Sequence, residues 1–190
     1  MPGLTDLDII NLALIELGQP ALATLDNTSK PGRIMGALYE PTVKEILFGH
    51  PWRCCQKLQV LSVDPDATEP FDFDYACALP ADFVRVVKVN DNIDKFRVVG
   101  QHIHVDDDAP DLTYTARVPT SEFNPGLVSA IVARLSARAC IAITDNATDA
   151  KSRADGYLII LADAKFNDSM NGAPEDNPIG TWAQARLSEV

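Results

Sequence analysis

Two prolines, one inside an apolar helical pattern and one at its end, set the hardest constraint on this chain. The run from Tyr39 to Trp52, YEPTVKEILFGHPW, carries Pro41 within the stripe and Pro51 directly after His50. Pro51 pushes His50 out of helical geometry and stops the helix there. Pro41 removes one hydrogen bond and crowds the preceding turn, so a kink is expected at that point. Beyond Trp52 the chemistry changes to short β-type segments. The His-Pro-Trp corner therefore marks the passage from helix to sheet, and Trp52 is expected in the core there.

Upstream, Thr5 followed by Asp8 forms a capping-box pattern, and Leu7, Ile10, Leu14 and Leu17 recur at helical spacing before Gly18. Pro20 and the cluster Asp26-Asn27-Thr28-Ser29 make a loop. Pro31 then suits the first turn of a second helix, whose stripe is Met35, Leu38, Tyr39, Thr42 and Ile46. Downstream, 57–61, 75–79, 84–89, 96–99, 102–105 and 112–118 are candidate strands bounded by Pro, Gly, Asn or Asp. They fit a small antiparallel sheet or partial barrel, with Asp91-Asn92 and Gly100-Gln101 as hairpin turns. Helical period returns after Asn124-Pro125, with Val128, Ile131, Leu135 and Ala142 on one stripe and Ala133 and Ala137 beside it. Asp145-Asn146 breaks that pattern. A last helix over 148–171 directs Ala154, Leu158, Leu161 and Ala162 inward, and Gly172 stops it.

The expected fold class is α+β: an antiparallel bundle of about four helices from 1–56 and 120–171, a small antiparallel β domain inserted at 57–119, and an extended C-terminal tail over 172–190. With 190 residues and a 46% hydrophobic share, the chain has enough material for one sizeable core. No apolar run approaches the roughly 18 residues of a transmembrane helix, and MPGLTDLD has no basic stretch followed by an apolar core, so cytoplasmic synthesis is expected. Cys54, Cys55, Cys77 and Cys140 have neither zinc-site spacing nor disulfide density and are expected to be reduced. A net charge of −11 disfavours a sequence-reading nucleic-acid binder. It is compatible with an acidic channel wall past which DNA slides.

Several pieces in order then resemble the tail tubular protein A family, the head-to-tail adaptors of short-tailed phages. These are Ile10-Asn11-Leu12-Ala13-Leu14, Leu17-Gly18, Tyr39, His50-Pro51-Trp52 and Leu79-Pro80-Ala81-Asp82. The resemblance covers about 5–170 and departs from the family at Arg53-Cys54-Cys55, where an aromatic residue or Asn is usual. It implies a non-enzymatic virion protein, assembled in the host cytoplasm, that forms a dodecameric ring between the portal protein and the tail nozzle protein. DNA would pass through that ring without sequence-specific binding. No cofactor, no metal, no catalytic residue and no membrane contact is implied. A glycan hydrolase acting during entry and a head-completion protein of a long-tailed phage are the alternatives.

No nucleotide-binding, serine-hydrolase or zinc-protease motif occurs. His102-x-His104-x-Asp106 would project three metal ligands from one strand face, or else form an exposed hairpin edge. Vicinal Cys54-Cys55 lacks redox spacing, and His50 is expected to cap a helix end. Nothing distinguishes Glu69, Glu122 or any Asp as half of a glycosidase pair. Trp182 is a large aromatic among small and polar residues, the composition of a partner-binding anchor. With Ile179, Arg186 and Leu187 it makes the expected portal-docking segment.

Overall fold

In the computed structural model, residues 3–25, 28–68, 70–90 and 95–170 are described. Among these residues the fold is α+β, with four helices and two small antiparallel sheets. Helix α1 spans Asp6–Glu16, opened by the capping box between Thr5 and Asp8. Its buried face is Ile9, Ile10, Ala13 and Leu14, broader than the expected stripe, and Leu17 is buried just beyond its end. Asn11 holds the following loop from both sides: its amide donates to the Leu22 carbonyl at 3.0 Å and its oxygen accepts from the Leu22 N–H at 2.7 Å.

Helix α2 spans Lys30–Gly49, capped by Ser29 with Pro31 in its first turn. It continues through Pro41, and Thr42 directs its hydroxyl at the Leu38 carbonyl, 2.7 Å away. His50 is its C-cap in extended geometry, as the following proline dictates. A single 3-10 turn, Arg53–Cys55, leads into the strands.

All six expected strands form: β1 Gln56–Val60, β2 Tyr75–Ala78, β3 Phe83–Val89, β4 Arg97–Val99, β5 His102–Val105 and β6 Asp111–Ala116. They make two three-stranded sheets, ordered β1-β6-β3 and β2-β5-β4, rather than the single sheet or partial barrel expected. The Gly100 turn does join β4 and β5 as a hairpin, and its φ of +60° is a conformation that glycine adopts without strain. Strands β3 and β4 are not hairpin neighbours: β3 is at an edge of the first sheet beside β6 and β4 at an edge of the second beside β5, and the Asp91-Asn92 pair lies outside the described residues.

Helix α3, Pro125–Thr144, is capped by Asn124, whose oxygen accepts from Leu127 N–H at 2.8 Å. It packs against α1, α2 and helix α4, which spans Ala147–Met170. Gly126 allows a close approach to α4, since a Cβ there would lie 3.4 Å from that of Ala164. At 20 residues α3 is long and apolar enough by composition to cross a membrane, contrary to the sequence expectation. Its apolarity is that of a helix with Leu127, Ile131, Leu135 and Ala139 fully buried among three others. Ala142 is exposed instead of joining the buried stripe, which runs on to Cys140. Buried residues of helices and strands form one continuous cluster.

Trp52 is fully buried in that cluster, its indole N–H donating to the Ile46 carbonyl at 3.0 Å. Replacing Trp52 with Ala is expected to cost about 3–5 kcal/mol through the lost burial and the cavity left behind. Urea denaturation followed by circular dichroism measures this directly.

Candidate interaction surfaces

The corner after α2 is organised by a buried carboxylate from the far end of the chain. Asp168, near the end of α4, accepts from His50 Nε2 at 3.1 Å and from the Arg53 backbone N–H at 3.2 Å through one oxygen, and from Asn124 Nδ2 at 3.0 Å through the other. The His50 ring meets Trp52 edge-on, with centroids 4.8 Å apart. His50 thus ends α2 through its backbone while its side chain reaches α4. Beside it, the sulfurs of Cys54 and Cys55 lie 3.7 Å apart. The hydrogen bond from Cys55 lowers the Cys54 thiol to about 7, while the same bond and burial raise Cys55.

Several other charged groups are also paired internally. Arg117 spans both oxygens of Glu40 at 3.2 to 3.3 Å, and Arg134 and Arg138 hold Glu45 at 2.7 and 3.0 Å. Tyr39, Thr120 and Asp6 share a hydrogen-bonded cluster where α1 meets α2. A cleft of about 740 Å³ between α2 and β3 is lined by Glu40, Glu45 and Asp82 beside exposed Phe48. Burial would raise Asp82, but hydrogen bonds from Lys57 and Tyr114 outweigh it and leave the carboxyl below its ordinary range. Each acid of the cleft already has a cationic partner. Glu122 is exposed in the 3-10 turn Thr120–Glu122, and Glu69 lies outside the described residues.

His102 and His104 do share the outer face of β5, with Ile103 and Val105 buried behind them. They diverge in partners. His102 Nε2 meets Asp64 at 2.9 Å, His104 sits near the Phe73 ring, and Asp106 accepts from the Asp74 N–H. Asp64 is held below the carboxylate range first by His102 and then by the Asp66 N–H. Among the described residues no group of three His, Cys, Asp or Glu side chains is placed to hold a metal ion.

Unsatisfied apolar surface is found elsewhere. The inward stripe of α4 is Ala150, Tyr157, Ala164 and Asp168, with Ala154 and Leu161 partly buried. Leu158 and Ala162, expected inward, face solvent together with Ile159, Phe166 and Met170. On the sheets, β1 pairs only with β6 among the described strands and exposes Leu58 and Val60. Val98 and Val99 are exposed on β4, beside Phe96, and Phe71 in the loop before β2 is 96% exposed. Trp182, Ile179, Arg186 and Leu187, the expected docking residues, lie outside the described residues.

Two outcomes test the corner. Asp168→Ala leaves three donors without their acceptor and is expected to lower stability by about 3 kcal/mol, read from the same denaturation curves. In the native protein, iodoacetamide is expected to alkylate half-buried Cys54 before buried Cys55, Cys77 and Cys140, with a rate that rises through about pH 7. Peptide mass spectrometry after a short pulse identifies the site.

Against known proteins, no family model matches this chain, and no curated protein matches it.

Proposed function

We propose that the chain is a subunit of a closed adaptor ring between the portal and the tail nozzle of a short-tailed phage. The supporting observation is where its unsatisfied chemistry lies. Large apolar side chains are exposed on two separate elements, the outer face of α4 and the sheet edges, while the carboxylates of the acid-lined cleft are held by cations. A ring subunit needs lateral neighbours and a further partner above or below it, and so needs more than one such surface.

In this reading the helices form the lateral bundle, the inserted β domain at 57–119 docks the next tail ring, and the tail over 172–190 reaches the portal through Trp182, Ile179, Arg186 and Leu187. The −11 charge, multiplied around a ring, keeps a passing duplex from adhering to the channel wall. Residues that carry the family resemblance have structural roles in this chain. Asn11 fixes the loop after α1, and His50 and Trp52 lock the corner. Asp82 joins Lys57 to Tyr114 across the sheet.

Electron microscopy of the protein mixed with purified portal tests this reading. Portal particles decorated at one end are expected; a monomer that leaves the portal bare and clears cell-wall glycan overturns it. Trp182→Ala is expected to leave the thermal melt unchanged and to weaken portal binding by about 2 kcal/mol, as loss of an interface anchor does. Surface plasmon resonance on immobilised portal gives that value.

A further inference from the structure

Cys54 and Cys55 are neighbours in the 3-10 turn that leads into β1, and they share a contact that the adaptor reading leaves unused. Their sulfurs lie 3.7 Å apart, and the two side chains differ in access: Cys54 is half-buried and Cys55 is fully buried. The hydrogen bond from Cys55 holds the Cys54 thiol at about 7, so near neutral pH much of it is thiolate, the nucleophilic form. The outer sulfur is therefore the one that attacks a reagent, and the inner one stands behind it. A bridging ion would need space beside Cys55, which has no exposed surface, and among the described residues no third ligand is placed to complete a metal site. A direct bond between the sulfurs needs only that they close from 3.7 Å to about 2.0 Å.

We infer that Cys54 and Cys55 form a reversible dithiol–disulfide site that exchanges with small disulfides. In the first step the Cys54 thiolate attacks one sulfur of the small disulfide; a bond to Cys54 Sγ forms, the S–S bond of the small disulfide breaks, and one small thiolate leaves. In the second step Cys55 Sγ attacks Cys54 Sγ, and the second small thiolate leaves and takes the Cys55 proton. The pair is oxidised by two electrons, and the small disulfide is reduced to one thiolate and one thiol. Cys55 is raised in the resting protein first by its hydrogen bond to Cys54 and then by burial. The first step consumes the Cys54 thiolate and so removes the larger of those restraints. The product is strained, because adjacent Cα atoms stand about 3.8 Å apart where a disulfide usually spans about 4.4–6.8 Å. Such strain makes the bond easy to reduce. It also falls on the peptide between the two residues, whose N–H donates to the Trp52 carbonyl at 2.9 Å. The site acts independently of ring formation.

Treating the folded protein, freed of reductant, with dithiobis(nitrobenzoic acid) tests the site, since this aromatic disulfide releases a coloured thiolate. Two coloured thiolates are expected from the pair, the second at a rate independent of reagent concentration. The protein is expected to end lighter than its reduced form by two hydrogens, with peptide mapping placing the link between Cys54 and Cys55. Excess reduced glutathione is expected to return both thiols. Cys55→Ser is expected to release one thiolate and keep the aromatic adduct on Cys54, and an unchanged thermal melt verifies its folding. A wild type that keeps a stable adduct overturns the inference, as does a link to Cys77, Cys140 or a second copy, or a disulfide that glutathione leaves intact. The mass of the wild-type product decides the matter even where the variant fails to fold.

Discussion

The carboxylate of Asp168 is the interaction on which the arrangement of the chain depends. It is buried, and its two oxygens collect donors from the end of α2, the turn that starts β1 and the N-cap of α3. A charge in that position would be costly if unpartnered, so its three hydrogen bonds fix where four parts of the chain meet. Trp52 fills the space beneath, and the ring of His50 lies between the two. The helix that begins last thus secures the corner at which the helical start of the chain becomes sheet.

Much of the secondary structure was legible because it is governed by local rules. Thr5, Ser29, Asn124, Pro31 and Pro51 have preferences that tertiary contacts do not override, and alternation bounded by turn residues located every strand to within two residues. Strand partnership was not legible. The insertion of β6 between β1 and β3 follows from pairings 51 to 59 residues apart for β1 and 23 to 33 for β3, which no turn dipeptide encodes.

The same distinction separates what was and was not legible of the candidate surfaces. Periodicity shows that α4 has apolar stripes, but two stripes on one helix leave its orientation open. Leu158 and Ala162 therefore read as core positions, while Tyr157 and Ala164 fill that role. Asp168 gave no signal, since a single acid near a helix end is ordinary composition and its partners lie more than forty residues away. His102 and His104 were correctly placed on one face, yet the neighbours that claim them, Asp64 and Phe73, come from a loop whose course the sequence does not reveal.

The central place of α3 has a consequence for the newly made chain. Helices α1 and α2 have little contact with each other and rest mainly on α3, while β1 and β3 both wait for β6. Nearly every early element therefore has its partner late in the sequence, and a growing chain holds its apolar faces open until α3 has emerged from the ribosome. Folding of these elements must then wait for α3, slowed by distant pairings and exposed to aggregation until it emerges. Chaperone binding during translation is expected to raise the folded yield of such a chain.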